Sequence, residues 1–405
     1  MGLFFPQSRA QVLAPHPPRD PVVAEWFGGR GTASGQSVTP ATALQVTAAY
    51  ACVRVLAESV ASLPLILYER RKDGGKDRAT SNPLFRLLHD QPNRWQTSFE
   101  FFEMLMAHLT LRGDAYAEIM AAPGRAVAEL VPLHPDRVTP FWAPDRTVAH
   151  EYRPLDGPRR ILLQHEVLHV RGFADDGLTG LSPIRLHREA IGLALATEEH
   201  GARLFSNGAQ LGGVLQHPGK LTVEAAARLR ESWAARYAGG SNAHKTAVLE
   251  EGMKWEKVGM TSEDAQFLGT REYQTADIAR IWRVPPHMIG DLSKATFSNI
   301  EHQALEFVVH TLRPWLVRWE QALKRDLITQ PERFFAEFLV DGLLRGDIRS
   351  RYAAYAIGRQ WGWLSANKVL EMENQNPIEG GDTFLNPMNM TSAQLTTTNI
   401  PENAT

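Results

Sequence analysis

The 405-residue sequence contains a single cysteine, Cys52, which excludes an intramolecular disulfide framework and any cysteine-cluster metal site. Cys52 lies in an apolar stretch and reads as a small buried hydrophobe. No run approaches the roughly 18 uninterrupted apolar residues of a membrane-spanning helix, so no span is expected. The opening MGLFFPQSRAQ lacks a charged region followed by a long apolar run, so a signal peptide is not expected and folding in a cytoplasm is. A phosphate loop of the form G-x-x-x-x-G-K-[ST] and a G-x-S-x-G elbow are both missing. An excess of positive charge is missing too. Lys plus Arg total 43 against 45 for Asp plus Glu, a formal net charge of -2. That balance argues against a protein that coats nucleic acid with its whole surface, but permits one that lets a polyanion pass without gripping it. The densest cationic run, Arg70-Arg71-Lys72, is met at once by Asp73.

What is present suffices for a folded body. Hydrophobic residues make up 43% and charged residues 22% of a chain too long for one ordinary core. Two or three domains, or one elongated subunit, are expected. Residues 1–40 are rich in Pro, Gly and Ser and read as an arm. TPATALQVTAAYACVRVLAESVASLPL has helical spacing and ends at Pro64, and PLILYERR follows as a strand. SNPLFRLLHDQPN is a short helix. Thr97 and Glu100 form a capping box that opens FEFFEMLMAHLTLRG, which Gly113 closes. From 114 to 173, short runs rich in β-branched and aromatic residues alternate with Pro and Gly, as hairpins do. Ser182-Pro183 caps a helix expected to run unbroken to Asn207, about 39 Å long. A strand, a helix and a strand pair follow, then a helix from Ser262 to Trp282. A third long helix spans Asn299 to Leu327 with a kink expected at Pro314. The strand FFAEFLVD and two short helices complete the folded part.

The segment HEVLHVRGFAD, residues 165–175, matches H-E-x-x-H. A zinc protease would bind metal through His165 and His169 with Glu166 as base and Asp175 as third ligand. That chemistry requires both histidines on one helical face. The surroundings are strand-like instead, and on a strand the two positions stand about 13 Å apart. The expectation is a paired strand with two half-exposed histidines and no metal site. Asp175 and Asp176 read as a solvated loop.

Three stretches together resemble a known family. They are SNPLFRLLHDQPNRWQTSFEFFEMLMAHLTLRGDAYAEI, VLHVRGFADDGLTGLSPI, and SEDAQFLGTREYQTADIARIWRVPPHMIGDLSKATFSNIEHQALEFVVHTLRPWLVRWEQAL. They are similar to the portal proteins of HK97-type tailed phages, prophages and gene transfer agents, over residues 41 to 385. The resemblance implies an α+β subunit of a ring, generally of twelve copies, at one capsid vertex. DNA enters and leaves by its channel without sequence specificity. It implies a flexible arm at 1–40, a wing at 41–181, a stem helix at 182–207 and a clip at 208–261. A second stem helix at 262–283 then precedes a tunnel loop at 284–298. A wing helix and strand at 299–342, a helical crown at 343–385 and a flexible tail at 386–405 complete the mapping. Asp291, Leu292, Ser293, Lys294, Ala295, Thr296 and Phe297 would face the DNA channel. Lys294 would touch phosphate or stay solvated; Leu292 and Phe297 would pack against neighbouring loops or the wing. The partners implied are further copies of the chain, the major capsid protein, the terminase large subunit, the head-tail adaptor and double-stranded DNA, with no membrane. No catalytic residue, cofactor or metal is implied. Two other readings are carried alongside: the zinc metalloprotease, and a tail or adaptor protein that forms no channel.

Overall fold

Hydroxyl and amide side chains start the helices where the sequence places them. In the computed structural model Thr39 accepts from Thr42 N–H at 3.1 Å, Asn82 from Leu84 N–H at 3.0 Å and Ser365 from Lys368 N–H at 3.1 Å. Thr97 and Glu100 form the expected reciprocal capping box. The structure describes residues 32–122, 125–206, 214–220, 222–237, 253–256, 262–292, 303–340, 348–373 and 375–385. The chain divides after Leu339 into two compact units.

In the first unit, a single turn at Pro40–Ala43 precedes α1 (Thr47–Ala61), so the run expected as one helix is broken at Leu44–Val46. α1 buries Ala49, Cys52, Val53, Leu56 and Val60 against α3 (Ser98–Arg112), which contributes Phe101, Phe102, Leu105, Met106 and Leu109. Burial pushes the Cys52 thiol up to about 12, so it stays a neutral hydrophobe, as its apolar surroundings suggest. α2 (Pro83–His89) lies between them in sequence. α3 ends at Gly113, whose φ of +86° a side chain would resist.

Three three-stranded antiparallel sheets belong to the same unit. The first has the order β11-β1-β2, with β1 (Leu65–Arg70), β2 (Lys76–Arg78) and β11 (Phe334–Phe338). Leu65 pairs with Phe338 across most of the chain's length. The second has the order β4-β3-β8, with β3 (Asp114–Ala122), β4 (Arg125–Leu133) and β8 (Val167–Arg171). The third is the meander β5 (Val138–Trp142), β6 (Val148–Tyr152) and β7 (Arg160–Leu163). Pro140 sits on the edge strand β5, where a missing N–H is tolerated. Tyr116, Leu133, Val138, Leu162 and Val167 form the core shared by the last two sheets.

The helix expected from 182 to 207 is interrupted. A turn at Pro183–Leu186 ends at His187 (φ -109°, ψ 26°), and α4 runs from Arg188 to Ser206. The turn before the break is tied to α3: the Ser182 hydroxyl donates to Leu111 O at 2.7 Å. Beyond it, β9 (Val214–Gln216) pairs with β10 (Lys254–Glu256), and α5 (Val223–Tyr237) lies between them in sequence. α6 (Ser262–Trp282) spans the expected residues and meets α4 through Gln274 Nε2, which donates to Thr197 Oγ1 at 3.0 Å.

The third long helix is described from Gln303. It departs from α geometry over Phe307–Leu312, a π-helical stretch, before α7 (Arg313–Asp326). The irregularity precedes Pro314 rather than centring on it. Pro314 has no N–H to continue the α ladder, and Arg313 N–H reaches back to Val308 O in the wider π pattern. Trp319, fully buried on α7, packs edge-on against Phe102 at 5.2 Å. Phe102 meets Phe338 of β11 at 6.3 Å, so one aromatic cluster joins α3, α7 and the first sheet.

The second unit contains α8 (Ile348–Gln360) and α9 (Ala366–Met372). Arg351 and the Tyr355 hydroxyl both donate to Glu373, at 2.9 Å each. Gly358 sits beneath the Trp363 ring, where a Cβ would come within 2.9 Å.

Candidate functional site

The residues singled out for a channel role begin where α6 ends. Its last turn is anchored from inside: Trp282 is buried and its Nε1–H donates to Thr110 O of α3 at 3.0 Å. Arg283 then adopts φ +58°, and Val284 N–H bonds back to Ala279 O at 3.1 Å. This is the geometry of a glycine-type helix end built with an arginine. Such a conformation costs about 1 kcal/mol for a residue with a Cβ. The Thr311 hydroxyl of the π-helical stretch donates to Arg283 O at 2.8 Å and helps hold it. Pro286–Ile289 forms a 3-10 turn closed by Gly290 (φ +88°).

Asp291 is half-buried and Leu292 is 62% exposed. Ser293, Lys294, Ala295, Thr296 and Phe297 lie outside the described residues. The chain is described again at Gln303, whose Oε1 lies 2.7 Å from His287 Nδ1. This contact draws the two flanks of the 293–302 segment together. A cleft of about 800 Å³ opens between α6, the 3-10 turn and the π-helical stretch, with Tyr273, Arg280, Arg283, His287 and His310 among its lining residues. By helical period, Ala276 and Arg280 turn towards this cleft, which Arg283 also lines, while Gln274 turns the other way and bonds to Thr197 of α4. The cleft carries both signs of charge, and the geometry is that of a braced loop base rather than a reaction centre.

The HEVLH segment is not built as a metal site. His165 is exposed in a 3-10 turn at Gln164–Glu166, between β7 of one sheet and β8 of another. Glu166 accepts Leu163 N–H at 2.9 Å and closes that turn. His169 is buried on β8, with Nε2 2.8 Å from Asp114 Oδ1. The two histidines therefore share neither a helix nor a strand, and they are not the half-exposed pair expected. Among the described residues no three His, Cys, Asp or Glu side chains are grouped to hold a metal ion. Asp176 is an Asx-type loop residue, accepting Leu178 N–H at 2.7 Å and Thr179 N–H at 2.8 Å.

Sequence reasoning missed what His169 does. Its N–H donates to Asp326 Oδ2 of α7 at 3.1 Å, its carbonyl accepts from Arg325 at 2.6 Å, and Arg318 donates to Gly172 O at 2.7 Å. The H-x-R-G-F element is thus the rail on which the long helix docks. The partners are about 150 residues apart in sequence, so no local pattern marks them.

The fold is mixed α+β, with the long helices α4 and α6 in contact and a braced loop base at the end of α6. The family model described as "Phage portal protein" matches residues 47–374, and the chain belongs to that family. It is 36% identical over 380 residues to the probable portal protein of Streptomyces phage phiC31, covering 89% of this chain and 82% of that protein. It is 33% identical over 360 residues to the portal protein of Enterobacteria phage HK97, covering 88% and 84% respectively. Among solved structures, a chain in the neck of a native gene transfer agent particle, computed with C12 symmetry, superposes with a TM-score of 0.55 at 22% identity. That match covers 88% of this chain and 99% of the other.

Proposed function

We propose that this chain assembles into a closed ring of twelve copies at one capsid vertex, as a conduit for double-stranded DNA during packaging and ejection. The observation that carries this reading is the family match across 47–374, supported by likeness to a chain from a C12-symmetric particle neck. In this reading α4 and α6 are the stem pair, and residues 208–261 between them are the clip, the docking site for the terminase large subunit and later the head-tail adaptor. Residues 284–298 are the tunnel loop, with Asp291 to Phe297 facing DNA and Lys294 its phosphate contact. Residues 41–181 and 299–342 are the wing, set against the major capsid protein, and 343–385 the crown. The ring works in the assembled particle and carries out no catalytic step; nucleotide hydrolysis belongs to the terminase.

The near-neutral charge supports the conduit reading. Each phosphate neutralised by a fixed cation adds salt-dependent affinity and would brake a moving duplex. A non-channel adaptor does not need a long helical pair with a small α/β unit between its members. Negative-stain electron microscopy with mass photometry on the purified chain tests the proposal. Annular particles with a mass near twelve times the 45.2 kDa subunit are expected. A chain that stays monomeric under every assembly condition, with no annuli, overturns it.

A further inference from the structure

His169, the second histidine of the HEVLH segment, belongs to a buried chain of three titratable side chains. Its Nε2 meets Asp114 Oδ1 at 2.8 Å, and its Nδ1 meets His150 Nε2 at 3.4 Å. Asp114, His150 and His169 are 7%, 1% and 4% exposed. At the far end, His150 Nδ1 is buried with no partner. Tyr116 stacks over His169 at 4.3 Å and meets His150 edge-on. The other charged groups facing the trio are Arg171 from β8, Asp176 from the following loop, and Arg325 and Asp326 from α7.

The near end of the chain holds a strap. Residues 172–181 join β8 to Ser182, the cap of the turn leading into α4. Both carboxylate oxygens of Asp114 accept Gly180 N–H, at 3.0 and 2.9 Å. Gly172 N–H donates to Gly113 O at 2.7 Å, and Arg318 of α7 donates to Gly172 O. The strap thus connects the entry of α4 to both α3 and α7.

We propose that Asp114, His169 and His150 form a proton-counting latch: clamped and dry, the trio holds one proton fewer than it does in water, so acidification opens the strap and frees the entry of α4. Two proton arrangements fit the clamped geometry. With Asp114 ionised, His150 Nε2–H donates to His169 Nδ1, and His169 Nε2–H donates to the carboxylate. With Asp114 protonated, its O–H donates to His169 Nε2, His169 Nδ1–H donates to His150 Nε2, and the last proton sits on His150 Nδ1. In the second arrangement the proton shared by Asp114 and His169 counts once wherever it sits, and His150 Nδ1 has no partner to help hold a further one. Burial, reinforced by Arg171 and Arg325, holds His169 down to about 3. Burial, with the neighbouring His169 and the same arginines, holds His150 to about 3. Burial pushes Asp114 up to about 7.

The sign follows from counting protons. Between the ordinary carboxyl value of 3.8 and the ordinary imidazole value of 6.5, the opened trio carries two protons, both on histidines. The clamped trio carries one, on Asp114. Opening takes up one proton, so the latch weakens about tenfold per pH unit as pH falls below about 6.5. Above about pH 7 neither state carries an extra proton, and the latch is flat with pH.

Hydrogen exchange by mass spectrometry on the full chain, from pH 4.5 to 8 and corrected for intrinsic rates, reads the latch directly. In the wild type, peptides across 172–182 should lose about tenfold protection per unit below pH 6.5, while peptides from α1 should not. His150→Phe removes one acid-side proton uptake, so its strap should show no pH slope. Asp114→Asn leaves two histidine protons taken up on opening, so its slope should steepen to about hundredfold per unit. A wild-type strap with no pH slope, an equal loss in α1, or a His150→Phe slope like the wild type's would each overturn the latch. If a variant fails to fold, the wild-type profile still overturns the latch through either of the first two results.

Discussion

Replacing Gly180 by alanine is the sharpest test of how the strap is built. An ideal Cβ at Gly180 would lie 1.9 Å from Gly113 O, 2.7 Å from Gly113 C and 3.0 Å from Gly172 N. All three are backbone atoms, so no side chain can swing aside. An ordinary carbon–oxygen approach is about 3.3 Å, so the strap must retreat by about 1.4 Å. That movement takes bonds now at 2.7 to 3.0 Å beyond hydrogen-bond range. The losses are the Gly180 N–H to the Asp114 carboxyl, about 2 kcal/mol, and the neutral Gly172–Gly113 bond, about 1 kcal/mol. The lower entropy of an unfolded alanine returns about 0.7 kcal/mol. The expected net cost is about 2 kcal/mol. Gly177→Ala is the control: no atom lies within 4 Å of its Cβ, and only its φ of +69° opposes the change. It should cost about 1 kcal/mol. Urea unfolding of both variants, followed by circular dichroism, compares them on one scale. If Gly180→Ala costs no more than Gly177→Ala, the close packing of the three glycines is not what fixes the strap.

Two further outcomes follow from the same reasoning. Trp282→Phe removes the indole bond to Thr110 O and leaves that site buried; a loss of about 2 kcal/mol is expected in urea unfolding, and a loss under about 0.5 kcal/mol would mean α6 is not anchored there. Thr97→Ala removes the hydroxyl half of the capping box at α3 and should cost about 1 kcal/mol in a thermal melt, with Thr97→Ser restoring most of it; equal melts for all three would sink the assignment.

Helix starts and the order of elements were legible because they depend on neighbours in sequence. Thr97 and Glu100 are three residues apart, and their capping box forms as read. The strand-rich stretch from 114 to 173 was legible for the same reason: short β-branched runs between Pro and Gly have few other local solutions. The family was legible in long ordered motifs such as VPPHMIGD, which the match over 47–374 bears out. Where a local pattern met a distant partner, the sequence alone misled. The helix expected to run from 182 to 207 breaks at His187, after a turn whose cap Ser182 is tied to Leu111, and the long helix turns π before Pro314 while Thr311 reaches to Arg283.

The sequence by itself determined that the chain is an α+β portal-family subunit with no disulfide framework, and which short segments become helix or strand. Those properties follow from composition, period and motif, which are local. Only the tertiary structure decided that HEVLH splits between a 3-10 turn and β8, that its buried histidine joins Asp114 and His150, and that three glycines at 113, 172 and 180 meet at one point. Burial and contact between residues distant in the chain set those properties, and a linear pattern carries neither.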